Sequence, residues 1–193
     1  MPITANQLFF QCCVENKIDD LLIVLKTHNV DIHYNNEDAF ISACRNGHLE
    51  IVKILTTIYM KDKRYTPINI NACNEAAFKY ACAHGKLNII KYLTRLYKHG
   101  DYKSINIHSG DECGFRNALQ FHHFDVMNYL IILSKRDKKY KPIDITKTMN
   151  RNEILHSNKT MCYMTNLGLN KLTQFGEIFR SRDKIKNIKL LIL

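Results

Sequence analysis

Apolar residues recur along this chain with two helical spacings in alternation. Phe40, Ala43 and Cys44 stand at i, i+3 and i+4 and predict one face of a short first helix. Asn46-Gly47 ends it, Gly47 being the natural left-handed residue after a helix C-terminus. Leu49, Val52, Leu55 and Ile58, helped by Ile51 and Ile54, predict the buried stripe of a longer second helix. Asn36 precedes the first helix as a good N-cap, and Glu37 follows where a carboxylate suits the positive helix end. Before the cap stands an alternating element, Asp31-Ile32-His33. The pattern predicts a unit of short extended finger, helix, tight turn, helix.

The same wording returns further along. Ala39 to Leu55 reads AFISACRNGHLEIVKIL and Ala77 to Leu93 reads AFKYACAHGKLNIIKYL, identical at 9 of 17 positions at an offset of 38. A third copy, GFRNALQFHHFDVMNYL, runs from Gly114 to Leu130 at an offset of 37, with His122 in place of the turn glycine. Asn74 and Asp111 repeat the cap, Glu75 and Glu112 the carboxylate, and Asn69-Ile70-Asn71, Asn106-Ile107-His108 and Asp144-Ile145-Thr146 the finger. One such unit cannot bury its own apolar face and must stack on its neighbours.

A divergent copy precedes these, with Phe9-Phe10, Cys13, Asn16, Leu21, Leu22 and Leu25 aligned to the next unit at an offset of 30. Leu25 lies only six residues before Asp31, whereas Leu55 lies fourteen before Asn69. The extra residues in the later units all fall after the second helix, in TTIYMKDKRYTP, TRLYKHGDYKS and IILSKRDKKYKP. Each predicts a helix prolonged by a turn or two and closed by a basic, tyrosine-containing loop. The fold expected is an all-α helical repeat solenoid with short extended fingers and elongated second helices. Its array covers residues 1–146, in units of about 5–30, 31–68, 69–105 and 106–142. Residues 147–193 are expected to be a degenerate repeat, a C-terminal cap or a basic tail, with Ile178, Ile185, Ile188 and Ile192 marking an amphipathic final helix.

The run ACRNGHLEIVKIL of Ala43 to Leu55, with its small residues, glycine turn and second helix, resembles the ankyrin repeat. The E-x-A-F opening at Glu37 to Phe40 is similar to that in ankyrin-repeat proteins of giant DNA viruses that infect amoebae. The resemblance covers about residues 5–146 and implies a protein-binding scaffold, with host proteins as plausible targets and a monomer as the working form. In that family the fingers and the exposed end of the first helix form the binding face. By position match it falls on Tyr34, Asn35, Arg45 and Asn46, then Ala83 and His84, then Gln120 and Phe121. Tyr34, Arg45 and Phe121 are the expected anchors, because aromatics and arginine supply most interface hot spots. Phe121 could equally serve as a core residue of a worn repeat.

Composition changes the picture in one respect. The chain has 193 residues and a formal net charge of +10. A basic group recurs once per unit after the second helix: Lys61, Lys63 and Arg64, then Arg95, Lys98 and Lys103, then Lys135, Arg136, Lys138, Lys139 and Lys141. Stacked units would align these as a positive stripe with Tyr65, Tyr102 and Tyr140 interleaved, an alternative surface for nucleic acid or another acidic partner.

Seven cysteines, an odd number without a C-x-x-C pair, point to reduced thiols serving as small core residues. The first residues lack a basic stretch and their apolar run is broken by Gln11 and Glu15, so no signal peptide is expected. No run is long enough for a transmembrane helix. Together these suggest an intracellular protein, in the cytoplasm of the host cell. No nucleotide, metalloprotease or nucleophile-elbow motif is present, so no enzyme activity, cofactor or metal is expected. His48 and His84 fall at turns, and Cys113, His122 and His123 do not have the spacing of a zinc site.

Overall fold

A computed structural model of the protein describes residues 3–143, which belong to one compact unit, Met1–Ile143. Its helices are α1 (Ala5–Glu15), α2 (Ile18–Thr27), α3 (Tyr34–Asn46), α4 (Leu49–Lys61), α5 (Ala72–Ala83), α6 (Leu87–Leu93), α7 (Ser109–Gln120) and α8 (Phe124–Arg136). A 3-10 turn, Leu96–His99, follows α6, and no strand occurs among the described residues. The helices α1, α3, α5 and α7 pack on one another in order, and each also packs on the helix that follows it. This is the all-α helical repeat solenoid expected from the repeats. Residues 144–193, with the last finger and the final helix read from the sequence, lie outside the described residues.

One large side chain per unit fills the space between first helices. Phe9, Phe40, Phe78 and Phe115 are all buried to within 1% of complete. Around them the small side chains of Ala43, Cys44, Ala81, Cys82 and Ala118 have no exposure, which allows the helices to approach closely. The third copy opens with Gly114 where the others have alanine. A Cβ placed there would stand 2.6 Å from the Phe78 ring, so the ring occupies the methyl's place.

The turn between helices is read correctly from the sequence. Gly47 and Gly85 are left-handed at φ 88° and 64°, and His122 takes the same conformation at φ 59° without being glycine. At Gly85 the requirement is double, since the His123 ring of the next unit would lie 2.5 Å from a Cβ.

Three expectations change in detail. The first unit is in register at an offset of 31 rather than 30. Asn16 is its left-handed C-cap and donates to Cys12 O, as Gly47 donates to Ala43 O, which places Phe9, not Phe10, opposite Phe40. The fingers are hydrogen-bonded turns rather than extended strands. Tyr34 N donates to Asp31 O at 3.2 Å, and Ala72 N and Ser109 N repeat this to Asn69 O and Asn106 O. The second helices are prolonged in α4 and α8, of 13 residues each, but α6 stops after 7. Beyond Leu93 the chain tightens to three-residue hydrogen bonding, with Arg95 N on Tyr92 O and Lys98 N on Arg95 O.

The expected N-caps differ most. Asn36, Asn74 and Asp111 are themselves left-handed, each within a run of three such residues ending at Glu37, Glu75 and Glu112. The glutamates are buried, at 5%, 6% and 5% exposure, and so are not solvent-facing partners of a helix end. Glu37 Oε1 accepts from Asn69 N at 3.0 Å and lies 2.8 Å from His33 Nδ1. Glu75 Oε1 accepts from Asn106 N at 3.0 Å and from Asn71 Nδ2 at 3.0 Å. The Glu37 and Glu75 carboxylates each tie their own finger to the finger of the following unit. Asparagine and aspartate tolerate the left-handed region better than other side chains, and these bonds offset the cost for the rest.

Candidate interaction surface

Stacking fixes which side chains meet at the surface. Thr56 Oγ1 and Tyr92 Oη lie 2.7 Å apart between α4 and α6, and Thr94 Oγ1 and Tyr129 Oη lie 2.8 Å apart in the next pair. On the turn side, His48 Nε2 is 2.9 Å from Val14 O and His123 Nε2 is 3.0 Å from Ala83 O. Both histidines therefore hold one unit to the previous one.

On this frame the exposed end of the first helices carries most of the residues selected from the sequence. Tyr34 and Phe121 are 56% and 54% exposed, which settles the Phe121 alternatives in favour of the surface. Arg45, Asn46, His84 and Gln120 are exposed, as is Asn35 in the left-handed run, while Ala83 is half-buried. Asn46 Nδ2 donates to Val14 O at 3.2 Å, so it helps join α1 to α3.

The structure brings two of these side chains together and adds a third. The Arg45 guanidinium lies 5.7 Å from the centre of the Tyr80 ring, and its Nε donates to His84 Nε2 at 3.4 Å. His84 Nδ1 is in turn 3.0 Å from Tyr80 O. Tyr80 is 45% exposed and was not selected from the sequence. It stands four residues before His84 on one helix, the spacing that places two side chains on one face. An arginine held over an exposed aromatic ring, beside an imidazole, offers directed donors and apolar area on one patch.

The basic loops lie elsewhere, and all eleven of their cations are exposed. The interleaved tyrosines are not. Tyr65, Tyr102 and Tyr140 are 7%, 8% and 7% exposed, and each donates its hydroxyl to a backbone carbonyl of the preceding unit. The acceptors are Leu25 O at 3.1 Å, Thr56 O at 2.7 Å and Thr94 O at 3.0 Å. They are struts of the stack and cannot stack on bases. Tyr59 and Tyr97 reach forward, donating to Asp101 Oδ2 and Asp137 Oδ2 at 2.6 Å each.

These contacts set the ionisation of the phenols. Burial, and then the Asp101 carboxylate, pushes Tyr59 up to about 12. The hydrogen bond to Asp137, and then burial, pushes Tyr97 up to about 12. Tyr102 and Tyr140 are raised chiefly by burial. Burial also pushes the Cys13 thiol up to about 12 and holds Cys44 and Cys82 well above the ordinary thiol range, as expected of core residues.

No group of three or more His, Cys, Asp or Glu among the described residues could hold a metal ion. A cleft of about 460 Å³ forms an open groove between α2 and α4, lined by Leu22, Leu25, Ile54 and Ile58 together with Lys26, Lys61 and Arg64. No described helix is long and apolar enough to cross a membrane.

No curated protein and no solved structure matches the chain. A family match does exist, to ankyrin repeats in three copies, over residues 9–107. That span is just over half of the sequence and coincides with the stacked units built from α1 to the finger before α7. Ankyrin repeats are generally non-enzymatic modules for protein–protein interaction. With matching wording, helix pairs and turn geometry, the chain belongs to the ankyrin-repeat family.

Proposed function

We propose that this protein is a monomeric intracellular interaction module that binds another protein through the exposed ends of its first helices. The observation that carries this reading is the Arg45, Tyr80 and His84 cluster, where two successive units build one patch. Tyr34, at the start of α3, and Phe121, after α7, add exposed aromatics to the same set of first helices. Side chains of these types, clustered and held in place, are those that dominate interface energies. Thiols used as small core residues support an intracellular setting. The resemblance of the E-x-A-F opening to ankyrin proteins of giant amoebal viruses makes a host protein the first class of partner to test. Within this reading residues 147–193 serve as a cap or basic tail of the array.

The test is a pull-down from amoebal lysate with the whole chain, followed by measured affinity for the purified partner. Tyr34→Ala with Arg45→Ala should weaken binding by about 2 kcal/mol or more, while thermal stability changes little. Partner affinity unchanged in that double variant, and in Tyr80→Ala, would move the interface off this face.

A further inference from the structure

The loops after α4, α6 and α8 differ from ordinary solvated lysine-rich segments in three ways. First, their positive charge is mostly uncompensated, eleven cations standing against three carboxylates, of which Asp137 lies close enough to Lys98 and Lys139 to feel their charge. Of the eleven cations named above, only Arg64 makes an ion pair among the described residues, with Asp62. The loops contain three carboxylates, and the other two, Asp101 and Asp137, accept from Tyr59 and Tyr97. Second, the loops are pinned. Tyr65, Tyr102 and Tyr140 anchor each one to the unit before it, and Arg64 adds a bond from Nη2 to Leu25 O at 2.8 Å. The cations therefore sit on ordered platforms, one per unit, and a ligand need not order the loops on binding. Third, the tyrosines of these loops are withdrawn, Tyr65, Tyr102 and Tyr140 buried and Tyr97 half-buried, and beyond the ends of α4 and α8 the loops expose no large apolar side chain.

We propose that this edge is a sequence-independent binding surface for the phosphate backbone of a nucleic-acid duplex. The buried tyrosines decide the class of ligand. Single strands are held largely by stacking bases on exposed rings, and the tyrosines here are buried or half-buried. Membrane surfaces are held by inserted apolar side chains as well as charge, and beyond the ends of α4 and α8 the loops expose no large one to insert. A duplex offers closely spaced phosphates that cations alone can engage. This surface is separate from the first-helix face, and neither reading depends on the other.

The experiment uses the whole chain and a fluorescein-labelled DNA duplex of mixed sequence, read by anisotropy across a salt series. With five or more phosphates engaged, affinity should fall by about 10²–10³-fold between about 50 and about 200 mM salt. The triple variant Lys138→Ser, Lys139→Ser, Lys141→Ser should bind at least about tenfold more weakly at low salt, with a visibly shallower salt slope. Substituting Lys17, Lys53 and Lys79 by Ser removes the same charge away from these loops and should change affinity by less than about threefold. Circular dichroism confirms that both variants remain folded, as substitutions of exposed and half-buried surface lysines should allow. Equal weakening by the two triple variants would reduce the effect to net charge and overturn the proposal. So would a single strand of equal length binding more tightly than the duplex. Capture by phosphatidylserine vesicles that the loop variant abolishes, without duplex binding, would assign the edge to membranes instead.

Discussion

Tyr102 donates its hydroxyl to the backbone carbonyl of Thr56, 2.7 Å away and 46 residues earlier in the chain. Tyr140 repeats the arrangement on Thr94, and Tyr65 on Leu25. Removing only the hydroxyl tests the bond apart from the packing of the ring. Tyr102→Phe should lower stability by about 0.5–1.5 kcal/mol, and Tyr102→Ala by about 3–5 kcal/mol, in urea unfolding. A phenylalanine variant as stable as the parent would make the ring alone the strut.

The raised phenols set an alkaline limit. An unfolded tyrosine ionises near pH 10, while Tyr59 and Tyr97 in the folded chain hold their protons to about 12. Between those values the unfolded chain binds fewer protons, so stability falls as pH rises. The contribution is complete below about pH 10 and is lost as pH rises through about 12. Urea midpoints should begin to fall above about pH 8.5, where the thiols buried in the fold ionise in the unfolded chain, and fall more steeply between about pH 10 and about pH 11. Tyr59→Phe with Tyr97→Phe should make the steeper part of that fall shallower without removing it, since Tyr102, Tyr140 and the buried thiols still contribute; an identical fall in the double variant would place its origin elsewhere.

Glu75 gives the sharpest test of the buried ties. Its carboxylate accepts from Asn106 N and Asn71 Nδ2 at 6% exposure. Glu75→Ala leaves those donors without an acceptor and should cost about 1–3 kcal/mol. Glu75→Gln keeps an amide oxygen in the same place and should cost distinctly less. Equal losses in the two variants would point to side-chain volume rather than hydrogen bonding.

Gly114 tests the close approach of α5 and α7. A methyl group there meets the Phe78 ring at 2.6 Å, so Gly114→Ala should cost about 1–3 kcal/mol although alanine favours helices. Phe78→Ala should cost about 3–5 kcal/mol by opening a cavity. The double variant should lose less than the two single losses combined, because each removes the other's conflict. Additive losses would mean that the two residues do not compete for the same space.

Helix identity, turn position and core were legible because burial imposes period. Phe40, Phe78 and Phe115 could be placed from spacing alone, and all three are fully buried. What hid was set by partners distant in sequence. Glu37 reads as a helix-start residue because its true donor, Asn69 N, lies 32 positions away. Tyr65 reads as a loop aromatic because Leu25 O, its acceptor, is a backbone atom with no sequence signature. The one-residue error at Phe9 arose because two adjacent phenylalanines fit the pattern equally, and only the left-handed Asn16 fixes the register. At the candidate surface Arg45 and His84 were within reach of position matching, whereas Tyr80 belongs to the patch through a contact between units.

The tyrosine struts also have a direction in time. In each the hydroxyl belongs to the later unit and the carbonyl to the earlier one, and the same holds for His48 on Val14 and His123 on Ala83. A chain made from its N-terminus therefore completes every one of these acceptors before its partner is synthesised. Each new loop meets a template already in place, and the array can grow on the ribosome one helix pair at a time without waiting for distant sequence to emerge.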